Sequence, residues 1–160
     1  MQELINLLLE NKKTISTMES CTGGGIANAI TNIDGVSEVF KYGAVTYSNE
    51  YKIKMGVNPN VIEKYTVYSI ETAMEMSKNI SIFTNSDYGI GVTGQLNRQD
   101  KNNIVGDNNK IYISIYDKCN DKYHNYNIVA NNNLNRLENK SVIIDLVVEN
   151  LISIIKNDIL

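Results

Sequence analysis

The segment TISTMESCTGGGIANAIT, residues 14–31, determines how the first part of this chain folds. It begins with a short β-branched run at 14–18, which predicts a strand. Three consecutive glycines at 23–25 end that run, and a helix is predicted to follow at 26–31. A strand that passes into a helix through a glycine turn is typical of α/β proteins, so the segment predicts an α/β fold.

The rest of the chain continues this alternation and then closes with a hairpin and a helix. Apolar residues at helical spacing predict an N-terminal helix (Leu4, Ile5, Leu8, Leu9), a middle helix (Ile70, Ala73, Met74, Ile80) and a long final helix (Ile144, Val147, Val148, Leu151, Ile155). Capping residues predict that helices start at Ser48, at Asn58-Pro59 and at Ser69. Predicted strands cover 42–47, 88–93, 111–116 and 123–130, with a polar loop at 94–109 and a hairpin turn at 118–121. This order predicts one domain over residues 1–160. We expect an α/β fold with three layers, α/β/α, a mixed sheet, a late β-hairpin and a long C-terminal helix.

The composition is that of an ordinary globular domain, with 42% hydrophobic and 21% charged residues in a chain of 160. A net charge of −3 argues against a basic face for nucleic acid. No apolar run approaches the roughly 18–20 residues that span a bilayer. Cys21 and Cys119 form no CxxC or Cys/His cluster, so both are predicted to be reduced thiols and no metal site is expected. We therefore expect a cytoplasmic protein without nucleic-acid or membrane partners.

The glycine turn is the first candidate for chemistry. Glycines allow the backbone to approach a ligand, and the first amides of the following helix lack partners within the helix. Such a turn suits an anion or a developing oxyanion, and the hydroxyl of Ser20 just before it is a candidate nucleophile. The alternative is a tight strand-to-helix connection in which the glycines only permit packing.

A serine nucleophile needs a base. The one histidine, His124, falls in a late predicted strand and is expected to be a surface or hydrogen-bonded residue. Lysine can replace histidine when burial or nearby positive charge lowers its pKa. Lys52 follows the second strand, and parallel strand order would bring it beside the glycine turn. The alternative is that Lys52 and Lys54 are solvated helix lysines.

Four motifs together resemble one known family. They are ESCTGG at 19–24, DGVSEVF at 34–40, YGAVTYSNEYK at 42–52 and GVTG at 91–94. In this order they are similar to the signature of the CinA C-terminal family, and the likeness runs from about residue 13 to 94 and resumes in the final strands and helix. Two motifs at the right interval are more specific than either alone.

The resemblance implies an α/β/α domain and a nicotinamide-nucleotide amidase, which hydrolyses nicotinamide mononucleotide to nicotinate mononucleotide and ammonia. It implies Ser20 as the nucleophile, with Lys52 and Tyr47 in support. The substrate contacts that follow from it are Thr22, Gly23, Gly24, Thr93 and Gly94. It implies a small-molecule nucleotide substrate, no cofactor and a homo-oligomer, for which the tyrosine-rich hairpin at 112–126 is a candidate interface.

Residues 95–103 depart from the family pattern. Active members carry a Gly-Pro-Gly-Gly-rich loop here, whereas this chain lacks the proline and most of the glycines. Arg98 and Lys101 are candidates to meet a substrate phosphate, with ordinary loop solubility as the alternative. Three interpretations stay open: an amidase with an altered substrate loop, an amidase for another amide, or a nucleotide-binding module without catalysis.

Cys21 is the rival of its neighbour Ser20, because a thiol is intrinsically the better nucleophile at neutral pH. Neighbouring side chains of an extended chain point in opposite directions, so only one can face the substrate. The resemblance selects Ser20. Cys21 is then predicted to pack against the core.

Overall fold

The computed structural model describes residues 1–97 and 109–158, which form one mixed sheet between layers of helices. The strands are β1 (Ile15–Glu19), β2 (Phe40–Val45), β3 (Tyr88–Gly94), β4 (Lys110–Asp117) and β5 (Lys122–Val129). The helices are α1 (Gln2–Glu10), α2 (Gly25–Thr31), α3 (Asn49–Lys54), α4 (Pro59–Tyr65), α5 (Ile70–Thr84) and α6 (Arg136–Asp158), with a 3-10 turn at Val36–Glu38.

The strand order across the sheet is β2-β1-β3-β4-β5. β1 lies between β2 and β3 and runs parallel to both. β4 pairs antiparallel with β3 and continues into β5 as the expected hairpin. The predicted α/β class, the mixed sheet, the late hairpin and the long C-terminal helix are confirmed.

Each face of the sheet carries its own apolar core. The larger core joins β1, β3 and β4 to α1, α2 and α6, and it includes Leu8, Ile30 and Leu151. The smaller core lies beneath α5 and includes Met18 and Met76. Helices on both faces of a mostly buried sheet make the three-layer α/β/α arrangement that the element order predicts. Across the described residues, no helix combines the length and apolar character that crossing a bilayer requires.

The predicted helix starts are set by side-chain caps. Ser48 accepts a hydrogen bond from the amide of Tyr51, and Ser69 accepts one from the amide of Thr72. Asn58 caps α4 in the same way, with Pro59 at the first helical position. These side chains satisfy amides that a helix leaves without partners, and they fix where each helix begins.

Two elements differ from the sequence expectations. β2 ends at Val45 rather than at 47, so Tyr47 lies beyond the strand. The buried face of α5 matches the predicted apolar stripe only in part. Ala73 and Ile80 are buried as predicted, whereas Ile70 and Met74 are only half-buried. Ser77 and Ser81, which the predicted stripe did not include, are buried as well. Small side chains face the sheet here because α5 packs unusually close to β3.

Gly89 and Gly91 of β3 explain this close packing. A Cβ at Gly89 would lie 2.0 Å from the Ser77 carbonyl oxygen, and one at Gly91 would lie 2.3 Å from the Ala73 carbonyl oxygen. Both obstructing atoms belong to the backbone of α5, so no side-chain rotation can relieve the overlap. The two glycines therefore set the distance between the helix and the sheet.

Gly89→Ala is expected to destabilise the protein by about 3 kcal/mol or more, because the added methyl must displace the backbone of α5. The measurement is urea unfolding followed by circular dichroism. Gly35→Ala is the control, since Gly35 has a φ of +81° but no heavy atom within 4 Å of an added Cβ. Its cost is expected to be the backbone strain alone, about 1–2 kcal/mol. Equal losses in the two variants would contradict the close-packing explanation.

Candidate active site

The parallel strands bring the predicted site residues to one edge of the sheet. Ser20 follows β1 directly, and Tyr47 lies shortly after β2. β1, β2 and β3 run in the same direction, so their carboxyl ends meet at this edge. α3 starts just beyond β2 and carries Lys52. Residues far apart in sequence therefore converge where open α/β sheets usually bind ligands.

Ser20 and Lys52 are in direct contact. Lys52 Nζ donates a hydrogen bond of 3.1 Å to Ser20 Oγ and one of 2.8 Å to the carbonyl oxygen of Thr46. The lysine side chain is only 2% exposed, and the serine is also buried. The alternative of a solvated helix lysine is therefore wrong for Lys52, whereas Lys54 lies exposed on the same helix and pairs with Glu50.

The glycine turn leaves two backbone amides without an acceptor among the described residues. Gly23 and Gly24 adopt φ values of +63° and +88°, which only glycine adopts readily. The amide of Gly23 donates to the carbonyl of Ser20, and that of Gly25 donates to the carbonyl of Thr22. Among the described residues, the amides of Thr22 and Gly24 donate to no acceptor. These two amides are the donors that remain for a ligand or an oxyanion.

Glu19 occupies the N-terminus of α2. Its carboxylate is buried and accepts hydrogen bonds from the Thr22 hydroxyl (2.6 Å), the Ile26 amide (3.0 Å) and the Ala27 amide (2.9 Å). The expectation that the first amides of this helix would face a ligand is therefore wrong for Ile26 and Ala27, because an internal carboxylate already accepts from them. The carboxylate also fixes the turn that follows Ser20.

Tyr47 contacts a residue that the sequence analysis did not single out. Its side chain is 64% exposed, and its hydroxyl accepts a hydrogen bond of 3.0 Å from Arg136 Nη2. Arg136 begins α6, and its Nη1 donates to the Leu96 carbonyl oxygen. The Ser20–Lys52 hydrogen bond forms without the Tyr47 hydroxyl. A catalytic role for Tyr47 stays a prediction.

Lys140 is the second site residue that the sequence analysis missed. A Cβ at Gly23 would lie 3.3 Å from Lys140 Nζ, so this ammonium group lies against the glycine turn. Lys140 follows Arg136 by four positions, which places both on one face of α6. The helical spacing was visible in the sequence, but which helix face approaches the turn was not.

The remaining predicted substrate contacts have different surroundings. Thr93 is fully buried, and its hydroxyl donates to the Val67 carbonyl oxygen at 2.7 Å. Gly94 packs against β4, since an added Cβ would lie 2.6 Å from the Lys110 carbonyl oxygen. Substrate contacts from Thr93 and Gly94 stay predictions. Arg98 and Lys101 lie outside the described residues.

Cys21 is buried in the larger core, as predicted. Burial raises the pKa of the Cys21 thiol to about 12, and the charges of Arg136 and Lys52 oppose that rise only in part. The thiol is therefore protonated at neutral pH and lacks the thiolate that a cysteine nucleophile requires.

Alkylation is expected to distinguish the two thiols by their reactivity. Between about pH 7 and 9 iodoacetamide should modify the exposed Cys119 and leave Cys21 intact, because only thiolate reacts and the raised pKa of Cys21 keeps it protonated until far higher pH. Peptide mass spectrometry measures both sites, with urea-unfolded protein as the control in which both react. Labelling of native Cys21 at the rate of Cys119 would contradict its burial.

His124 takes no part in this edge of the sheet. It lies on β5, which β3 and β4 separate from β1. It is half-buried, and burial lowers the pKa of its imidazole. In residues 1–97 and 109–158, no group of three or more His, Cys, Asp or Glu side chains is placed to hold a metal ion.

The fold and the site define a class: an α/β/α domain with a buried serine–lysine pair beside a glycine turn. A family model, the CinA C-terminal domain, matches residues 1–151. The chain belongs to the CinA C-terminal domain family.

Curated relatives agree with this membership. A putative competence-damage inducible protein of Clostridium beijerinckii is 54% identical over 89 residues, which are 55% of this chain and 22% of that protein. A CinA-like protein of Endomicrobium trichonymphae is 52% identical over 89 residues, 55% of this chain and 21% of that protein. The chain thus matches about a fifth of the length of these relatives.

Solved structures share the fold at lower identity. A competence or damage-inducible protein from Enterobacter asburiae aligns with a TM-score of 0.86 and 19% identity, covering 96% of this chain and 94% of that one. A competence/damage inducible protein from Agrobacterium tumefaciens aligns with a TM-score of 0.84 and 24% identity, covering 95% and 91%. These likenesses establish the α/β/α fold.

Proposed function

We propose that this protein is an amidohydrolase that converts nicotinamide mononucleotide to nicotinate mononucleotide and ammonia. The observation that carries the proposal is the 3.1 Å hydrogen bond between Lys52 Nζ and Ser20 Oγ, in a buried position beside unpaired backbone amides. A nucleophile, a base within hydrogen-bond reach and donors for an oxyanion are the parts that acyl transfer requires. The resemblance to nicotinamide-nucleotide amidases supplies the substrate.

The first step is attack of Ser20 Oγ on the carboxamide carbon. Lys52 acts in its neutral form and takes the serine proton as the new C–O bond forms. Burial disfavours the charged form of an amine in general, and the Thr46 carbonyl orients Lys52 Nζ through its hydrogen bond. The carbonyl oxygen becomes an oxyanion, which the amides of Thr22 and Gly24 stabilise. One such donor contributes about 3–4 kcal/mol in other acyl-transfer sites.

Collapse of the tetrahedral intermediate breaks the C–N bond. Lys52 returns its proton to the departing nitrogen, so the leaving group is ammonia and an ester to Ser20 remains. Water then attacks the ester, with Lys52 again accepting a proton. The second tetrahedral intermediate then breaks the bond between the acyl carbon and Ser20 Oγ, and Lys52 returns its proton to Oγ. The product acid loses its proton to solvent as nicotinate mononucleotide, and the Ser20 hydroxyl and the neutral amine are restored.

Two alternatives share the same site. The altered loop at 95–103 is compatible with an amidase for a different carboxamide or with a nucleotide-binding module that does not turn over. The buried contact between Ser20 and Lys52 favours catalysis over binding alone, because a binding module has no need of a buried amine on a serine hydroxyl.

The test is ammonia release by the purified protein from nicotinamide mononucleotide, with nicotinamide riboside and nicotinamide as comparison substrates. Ammonia and nicotinate mononucleotide in equal amounts are the expected products. Calorimetric titration of nicotinamide mononucleotide on the same sample separates the alternatives. Binding without ammonia would favour the binding module, whereas neither binding nor turnover would reject this substrate.

A further inference from the structure

Positively charged side chains outnumber negatively charged ones around the glycine turn. The positive charges of Arg136 and Lys52 both oppose the rise that burial causes in the pKa of the Cys21 thiol. Lys140 Nζ lies against Gly23. The acid at the turn, Glu19, already accepts three hydrogen bonds from the turn and from α2. The Glu19 carboxylate therefore stabilises the backbone of the turn and of α2.

Arg136 and Lys140 share one face of α6 without an acidic partner. In the part of the chain that the structure describes, no carboxylate oxygen lies within 4.0 Å of either side chain. The nearby Glu138 instead accepts a hydrogen bond of 2.7 Å from the amide of Asn135, as a cap of the helix. Like charges four positions apart destabilise a helix, so the pair is unfavourable until an anion lies between its members.

The two cations are also placed to act together with the turn. Arg136 donates from Nη1 to the Leu96 carbonyl oxygen and from Nη2 to the Tyr47 hydroxyl. Because these residues follow β3 and β2, the guanidinium lies at the carboxyl edge of the sheet, and its other N–H groups remain available. Among the described residues, no hydrogen-bond acceptor or carboxylate contacts the Lys140 ammonium. Gly23 leaves room beside this ammonium because it lacks a Cβ. Both side chains are half-buried, so water reaches them only in part.

We propose that Arg136 and Lys140 form a subsite for a phosphate monoester, the 5′-phosphate of the substrate. The inference rests on the proposed function for the identity of the substrate, but the subsite itself requires only a phosphate monoester. Guanidinium and ammonium groups are the side chains that bind such dianions most strongly. Lys52 is not a member of this subsite, since its ammonium position is buried against Ser20 and Thr46.

The experiment is calorimetric titration of the wild-type protein with ribose 5-phosphate and, separately, with ribose. Neither probe contains an amide, so the result does not depend on amidase activity. Ribose 5-phosphate is expected to bind at least about tenfold more tightly than ribose, since only the phosphorylated probe can accept charge-assisted hydrogen bonds. Equal affinities, including no detectable binding of either probe, would overturn the subsite.

Variants assign the effect to the two side chains. Lys140→Gln and Arg136→Gln are each expected to weaken ribose 5-phosphate binding by about tenfold or more. Lys156→Gln is the matched control, because it removes one positive charge from the same helix at an exposed position that pairs with Glu3. It should leave the affinity unchanged. Wild-type affinity in Lys140→Gln and Arg136→Gln, or an equal loss in Lys156→Gln, would overturn the assignment.

The same measurements separate this inference from the proposed function. Phosphate-dependent binding that requires Arg136 and Lys140, in a protein that releases no ammonia from nicotinamide mononucleotide, would keep the subsite and reject the amidase. Ammonia release with the same KM for nicotinamide mononucleotide and nicotinamide riboside would keep the amidase and reject the subsite.

Discussion

Ser20→Ala is expected to reduce ammonia release from nicotinamide mononucleotide by at least about 10⁴-fold, because no other group can form the ester intermediate. The hydroxyl accounts for little of the surrounding packing, and its main partner is Lys52 Nζ at 3.1 Å. Folding should therefore be retained, which thermal unfolding by circular dichroism can verify. The initial rate of ammonia release at saturating substrate is the measurement.

Cys21→Ala is the matched control for Ser20→Ala. The adjacent thiol faces the larger core, and its raised pKa leaves it protonated, so its removal should change the rate by no more than a few-fold. The opposite result, loss of activity in Cys21→Ala with retention in Ser20→Ala, would transfer the nucleophile to the cysteine.

Lys52→Met is expected to reduce turnover by about 10²–10⁴-fold, the usual contribution of a positioned general base. Methionine keeps much of the buried aliphatic volume but has no group that accepts a proton. Because Lys52 acts on the Ser20 proton rather than on the bound nucleotide, kcat should fall while KM changes little. Full initial-rate curves for ammonia release separate the two parameters.

Lys54→Met is the control for Lys52→Met. Lys54 lies on the same helix, but it is exposed and pairs with Glu50, so its loss should leave kcat unchanged. Lys52→Arg tests the role further, since guanidinium donates hydrogen bonds but does not accept a proton near neutral pH. Recovery of activity in Lys52→Arg would mean that Lys52 supplies positive charge rather than basicity.

The sequence predicted the central pair because two rules converge on it. The glycine turn after β1 identified Ser20, and the parallel order of β1 and β2 brought α3 and Lys52 to the same sheet edge. The family resemblance selected these residues over their neighbours. The helix caps were equally predictable from the sequence, since Ser48 and Ser69 accept hydrogen bonds from amides only three positions away.

Other parts of the site depend on long-range packing that spacing does not encode. Glu19 accepts from amides seven and eight positions later, beyond the reach of ordinary capping patterns. Arg136 and Lys140 belong to the last helix, and their approach to the turn follows from how α6 packs on the sheet. Local pattern cannot specify such an approach.

The buried face of α5 was predicted only in part, for a related reason. The predicted stripe included Ala73 and Ile80, which are buried, but it left out Ser77 and Ser81, which are buried as well. Gly89 and Gly91 remove the side chains that would normally separate strand from helix, so the helix backbone itself contacts β3. Glycine in a buried strand signals close backbone approach, and that signal was present in the sequence.

Trapping of the acyl-enzyme tests most directly whether the Ser20–Lys52 pair acts by covalent catalysis. Wild-type protein, nicotinamide mononucleotide and hydroxylamine are combined, and the products are separated by mass spectrometry. We predict a hydroxamate of the mononucleotide, formed at the expense of nicotinate mononucleotide, together with an acid-quenched adduct on the peptide that contains Ser20. Ammonia release that continues without hydroxamate and without an adduct on that peptide would contradict the account.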